Sequence, residues 1–221
     1  MVRIRLRHLT LAMVAAAAAT AGSAAGEPRN AAFDILRKGE PIGSHVVTVE
    51  DAGERTVVDT RIEMRVKFGP LPLYRYNHRA REVWFGGVLE SIDSRTNDNG
   101  RKSSLAARRD GDLIEIDGTA FRGAAPLTVV PSSYWNRELL GAPVLLNTQN
   151  GELIDIETMS LGVTRTPDGA AAEQFRIVGT LALDLWYDGP LWVASTFTID
   201  GEELTYRPAA PGGYVEASLD D

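Results

Sequence analysis

From Phe33 onward the chain alternates apolar and polar residues in short runs separated by turn-forming pairs. The clearest run is Val58, Thr60, Ile62, Met64, Val66 and Phe68, interleaved with Asp59, Arg61, Glu63, Arg65 and Lys67. A period of two puts one set on each face of a pleated strand, so this segment reads as a strand with one buried face. Lys38-Gly39, Asp51-Ala52-Gly53, Asn99-Gly100, Asp110-Gly111, Asn150-Gly151, Asp188-Gly189 and Asp200-Gly201 fall between such runs. Pairs of this kind supply the positive φ that tight hairpins need, so successive strands are expected to pair antiparallel. The pattern predicts strands near residues 31–38, 44–51, 55–68, 73–85, 88–97, 101–109, 112–117, 127–130, 152–160, 173–187, 190–199 and 202–207.

The alternation breaks over residues 131–141, Pro-Ser-Ser-Tyr-Trp-Asn-Arg-Glu-Leu-Leu-Gly. Ser132 or Ser133 is a candidate N-cap there and Gly141 a candidate left-handed end, which predicts a short helix over 132–140. Thr164 to Ala172 is small and polar and reads as a mobile loop. The expected fold is all-β: an antiparallel meander curled into an open β-barrel or β-spiral, with one short helical insertion.

The first residues follow a different pattern. Arg3, Arg5 and Arg7 precede an apolar run from Leu9 to Ala19 and the small residues Ala21 to Gly26. That order is expected of a secretory signal peptide over 1–25, cut after Ala25 or after Ala24. Its apolar run falls well short of the roughly 20 residues that cross a bilayer, and no later stretch is apolar enough, so no transmembrane segment is expected. The domain organisation expected is a single β domain over 26–210 and a flexible acidic tail over 211–221, in a periplasmic or secreted protein.

Charge and cysteine usage narrow the chemistry. The chain carries −7, and the expected signal holds three arginines and no acidic residue, so its removal leaves −10. This sign argues against nucleic acid as a partner and, for the molecule overall, against loose attraction to anionic phospholipid headgroups. There is no cysteine, which excludes thiol catalysis, cysteine metal sites and a lipidated cysteine anchor. At this length a core forms without disulfides. No Gly-x-Ser-x-Gly elbow and no His-Glu-x-x-His occurs in the mature chain, and no metal or cofactor is expected.

The opening run Phe33 to His45, containing the step Ile42-Gly43-Ser44-His45, resembles the first two strands of exported proteobacterial families of unknown function, of the DUF6134 and DUF3108 kind. Leu185-Trp186-Tyr187-Asp188 and the run Asp200 to Tyr206 are similar to their closing hairpins. The resemblance spans most of the mature chain. It implies an architecture like that of periplasmic envelope-integrity proteins that wind a long meander into a β-spiral, and it brings no catalytic residue. One relative joins its terminal strands by a disulfide, which this chain cannot form.

Two sets of side chains are candidates for binding. Tyr74, Tyr76, His78 and Trp84 share one face of a predicted strand, where they would line an apolar interior or pack it. Tyr134, Trp135, Asn136 and Arg137, in the interruption, would recognise a ligand or cap the barrel mouth. His45 reads as a structural residue at a strand start. Trp186 and Trp192 are placed to pair across the Asp188-Gly189 turn. Arg75, Arg79 and Arg81, with Arg61, Arg65 and Lys67 on the neighbouring strand, form a stripe suited to anionic groups, with Asp59, Glu63 and Glu82 partly neutralising it. The favoured reading is a noncatalytic envelope-associated protein whose partner is a lipid, peptide, cell-wall fragment or other apolar, envelope-derived small molecule, or an envelope protein. The alternatives are a hydrolase or isomerase using His78 with tyrosine or carboxylate help, and a purely structural protein with a filled interior.

Overall fold

The computed structural model describes residues 30–68, 71–199 and 201–209; the expected signal peptide, its cleavage site, Asp200 and the 211–221 tail lie outside them. The first half of the chain is a run of hairpins, β1 (Ala31–Arg37), β2 (Glu40–Ala52), β3 (Arg55–Phe68), β4 (Leu71–Phe85), β5 (Val88–Asp98), β6 (Arg101–Asp110), β7 (Leu113–Gly118) and β8 (Arg122–Pro126). The second half holds β9 (Val130–Pro131), a 3-10 turn (Arg137–Gly141), β10 (Val144–Leu146), β11 (Leu153–Arg165), β12 (Ala171–Gly179), β13 (Leu183–Asp188), β14 (Leu191–Ile199) and β15 (Glu202–Pro208). All fifteen strands form one sheet. Every ladder is antiparallel except β9 with β10.

β15 returns to β1, in register from Phe33 opposite Pro208 to Arg37 opposite Leu204. The first and last strands therefore sit mid-sheet, and the two edges are β8 and β9, which are joined in the chain by three residues. The seam between those edges is bridged from inside. Ala120 N–H donates to the Asn150 carbonyl at 2.9 Å, and Thr96 Oγ1 donates to the Gln149 carbonyl at 3.3 Å. A Cβ on Gly118 would stand 2.3 Å from the Asn150 carbonyl oxygen, so the approach of the 147–151 turn to β7 requires glycine there.

Four local expectations are corrected. The 132–140 helix is a 3-10 turn over Arg137–Gly141, and Asn136 caps it, because its Oδ1 reaches the Glu138 N–H at 3.0 Å while Ser132 and Ser133 bond elsewhere. The expected strand at 127–130 is displaced: pairing occurs at Arg122–Pro126 and again only at Val130–Pro131. The expected loop 164–172 is shorter than its predicted span: β11 and β12 pair up to Arg165 opposite Ala171, which leaves a turn over 166–170. The single strand expected over 173–187 is two, broken after Gly179, whose φ of +129° ends β12.

Inner faces supply one core. Ile35, Val58, Leu89, Ile92, Leu105, Ile114, Leu145, Leu146 and Leu185 are buried in it. Trp186 and Trp192 do not pair. A bulge between Trp186 and Tyr187 sets Trp186 opposite Ala194 and Tyr187 opposite Trp192. Trp192 therefore joins the interior, while Trp186 packs with Ala172 and Ala194 in a satellite cluster and donates to Thr164 Oγ1 at 2.9 Å.

Candidate binding site inside the barrel

Strand parity decides what enters the interior. On β4 the inward positions are Tyr76, His78, Ala80, Glu82 and Trp84, all buried. The ladder sets His45 of β2 and His78 of β4 on either side of Ile62 of β3, with Thr96 of β5 beyond His78. Both histidines are buried. Gly43 allows this: a Cβ there would lie 1.9 Å from the Glu63 carbonyl oxygen, so only glycine lets β2 meet β3 two residues before His45.

His78 Nδ1 lies 2.9 Å from Thr96 Oγ1. The threonine hydroxyl has one proton and gives it to the Gln149 carbonyl, so Nδ1–H is the donor to Thr96 and Nε2 is left as the ring's acceptor. His45 stands among aromatic rings, with centroids 5.0 Å from Trp192, 5.5 Å from Tyr206 and 6.3 Å from Tyr134. Its buried Nδ1 has no hydrogen-bond partner among the described residues. Burial holds His45 down to about 3, helped by His78, and holds His78 down to about 4. Both rings are therefore neutral at pH 7.

Tyrosines converge on the same space from other strands and from the interrupting segment. Burial pushes Tyr134 up to about 12. Tyr76, Tyr187 and Tyr206 are raised by burial first and then by Tyr134, which places these phenols near one another. Tyr187 Oη donates to the Tyr134 carbonyl at 2.8 Å.

A second polar group fixes the interrupting segment to the wall. The Glu82 carboxyl is fully buried and accepts from Trp84 Nε1 at 2.9 Å and Trp135 Nε1 at 3.3 Å, with the Ser133 hydroxyl on its other oxygen. Burial pushes its pKa up, against the pull of these three donors. Trp84 and Trp135 meet edge to face at 5.8 Å. Glu82 thus belongs to the interior and does not neutralise the outer arginines; it shares parity with His78 and Trp84.

The structure brings Tyr76, His78, Trp84, Tyr134 and Trp135 together, with Tyr74 half-buried against the same core. Asn136 and Arg137 are engaged elsewhere. Asn136 caps the 3-10 turn, while Arg137 pairs with Glu173 at 2.8 Å, donates to the Gly189 carbonyl and lies over Phe175 at 5.1 Å and Tyr187 at 5.4 Å. Arg75, Arg79 and Arg81 are on the outer face; Arg81 is paired with Asp59 at 2.6 Å. The residues that strand parity alone did not single out are His45, Trp192 and Tyr206. The β2–β3–β4 ladder sets His45 beside His78, and pairing through the terminal strands brings Trp192 and Tyr206 to His45.

A many-stranded antiparallel sheet rolled around a buried polar cluster defines a β-barrel-like protein. The chain belongs to the DUF6134 family, a domain of unknown function, matched over residues 33–209. Its fold is similar to the crystal structure of a β-barrel-like protein of the domain of unknown function DUF1849 from Brucella abortus, with a TM-score of 0.60 and 10% identity over 82% of this chain and 95% of that one. No curated protein matches the chain.

Proposed function

We propose that this is an exported, noncatalytic binding protein that holds an apolar, envelope-derived molecule in its barrel, with an uncharged hydrogen-bonding group set against the histidine and tyrosine cluster. The observation that carries the reading is the convergence of His45, His78, Tyr76, Tyr134 and Tyr206 in a largely apolar interior, with His45 Nδ1 left without a partner among the described residues. Buried polar atoms are as a rule hydrogen-bonded, and a bound group set against His45 Nδ1 would complete its pairing. Because the histidines are neutral and the phenols protonated at pH 7, a neutral hydroxyl or amide suits the cluster better than a charged head, which would have to be desolvated without a counter-ion.

The test is titration of the mature protein with N-phenyl-1-naphthylamine, an apolar fluorophore, while the tryptophan emission is followed. Trp192 lies 5.0 Å from His45 and reports on the cluster. The expected result is saturable one-to-one binding that quenches tryptophan and is weakened at least about fivefold by His45→Phe or Tyr134→Phe, the scale of one lost hydrogen bond. Unsaturable binding, or binding indifferent to both variants, contradicts the proposal.

A further inference from the structure

Among the described residues eight arginines, from Arg37 to Arg207, each meet a carboxylate within 3.4 Å. Arg61, Arg65, Arg75, Arg79 and Arg95 meet none among the described residues, and all five are exposed on the outer face of β3, β4 and β5. Their register is informative. Arg61, Arg79 and Arg95 stand directly opposite one another on three adjacent strands, and Arg65 stands opposite Arg75. Between these two rows lie Asn77 and Asn97, also opposite one another.

Directly opposed side chains on antiparallel strands are about 5 Å apart at Cβ, and like charges in that position are destabilising. The row on the other side shows the arrangement that stability alone favours. There Asp59, Arg81 and Asp93 alternate in sign, with Arg81 on Asp59 and Arg108 on Asp93, both at 2.6 Å. On a chain with 30 acidic residues, a patch of five guanidiniums with only Glu63 among them is a concentrated exception. It spans two rows about 13 Å apart over three strands, too broad for one small anion and suited to several phosphates, each met in the bidentate geometry of guanidinium. Leu73, 59% exposed and two residues from Arg75, adds an apolar contact at its margin.

We propose that this outer face docks the protein on a bilayer that carries anionic phospholipid. The five arginines meet headgroup phosphates, the asparagine amides sit between them, and Leu73 reaches the apolar boundary. The acidic remainder of the molecule is screened within about 8 Å at physiological salt, so the local charge of the patch governs the encounter. This surface is independent of the barrel interior, and neither proposal depends on the other.

The experiment is flotation of the mature protein with phosphatidylcholine vesicles with and without phosphatidylglycerol, at low and high salt. Binding is expected only with phosphatidylglycerol and is expected to fall with salt. It should drop at least about tenfold in Arg61→Gln/Arg79→Gln/Arg95→Gln and in Arg65→Gln/Arg75→Gln. It should be unchanged in Arg108→Gln, which removes an ion-paired arginine, and weakened in Leu73→Ser. The two multiple variants remove different rows, so each checks the proposal if the other misfolds. Failure to bind phosphatidylglycerol vesicles overturns the proposal, as does equal loss in Arg108→Gln. Binding that soluble polyphosphate abolishes, with Leu73→Ser indistinguishable from wild type, assigns the face to a soluble polyanion and overturns the membrane assignment.

Discussion

At the scale of single residues, the interior holds ionisable groups whose neutral forms are favoured by burial, and they respond to pH in opposite directions. For His45 and His78 the folded values lie below the unfolded value of 6.5. Their contribution is intact above 6.5 and is lost as pH falls toward about 4 and below, because the unfolded chain then takes up protons that the fold resists. Urea unfolding should show each histidine costing up to about 1.4 kcal/mol per pH unit through that window, with the slope reduced in His45→Gln and in His78→Gln. Glu82 works the other way: its raised folded value means that its contribution is complete below 4.5 and lost as pH rises. Glu82→Gln can offer a carbonyl to both indoles and an amide donor to Ser133. Its stability relative to wild type should therefore rise with pH, whereas Glu82→Ala should cost of order 3 kcal/mol by stranding buried donors. A stability difference between Glu82→Gln and wild type that stays flat with pH would show that the carboxyl remains ionised in the fold. His78 and Trp84 were readable on one strand face from parity alone. Glu82 obeys the same parity, but its charge suggests the surface until its three donors are seen.

At the scale of elements, the ladder explains residues whose type alone says little. The Ile42-Gly43-Ser44-His45 step works because Gly43 lets β2 lie against the Glu63 carbonyl and so directs His45 inward. Gly43→Ala should lower stability by about 2 kcal/mol or more, the range of an overpacked site, whereas Ser44→Ala, on the outward side, should be nearly neutral in thermal melts. Equal effects would mean that the strands separate there without cost. Arg79 is flanked by Arg61 and Arg95, so Arg79→Gln should stabilise the protein by a few tenths to about 1 kcal/mol at low salt, with the gain shrinking at high salt. A lower melting temperature for Arg79→Gln would show that the guanidinium makes a stabilising contact. Hairpin boundaries through β7 were readable because glycine-containing turns, such as Lys38-Gly39, Asn99-Gly100 and Asp110-Gly111, separate clean alternations. The β12–β13 break was not, because alternation continues in Leu183, Leu185 and Tyr187 and Gly179 resembles any strand glycine.

At the scale of the whole molecule, turns identify chain neighbours and say nothing about how a meander closes. The all-β class followed from period-two patterning, but the return of β15 to β1 and the seam between β8 and β9 depend on long-range register that local residues do not encode. The same gap hid the site. His45, Tyr134, Trp192 and Tyr206 come from β2, the interrupting segment, β14 and β15, and they meet only because the sheet closes through its terminal strands. The central claim is that this closure builds a binding site. Native mass spectrometry of the protein purified from its own cells, alongside His45→Phe/Tyr134→Phe, tests it most directly. The account predicts a stoichiometric apolar molecule on the wild type that is lost from the folded double variant. An apo mass for both, or equal loading of both, would contradict it.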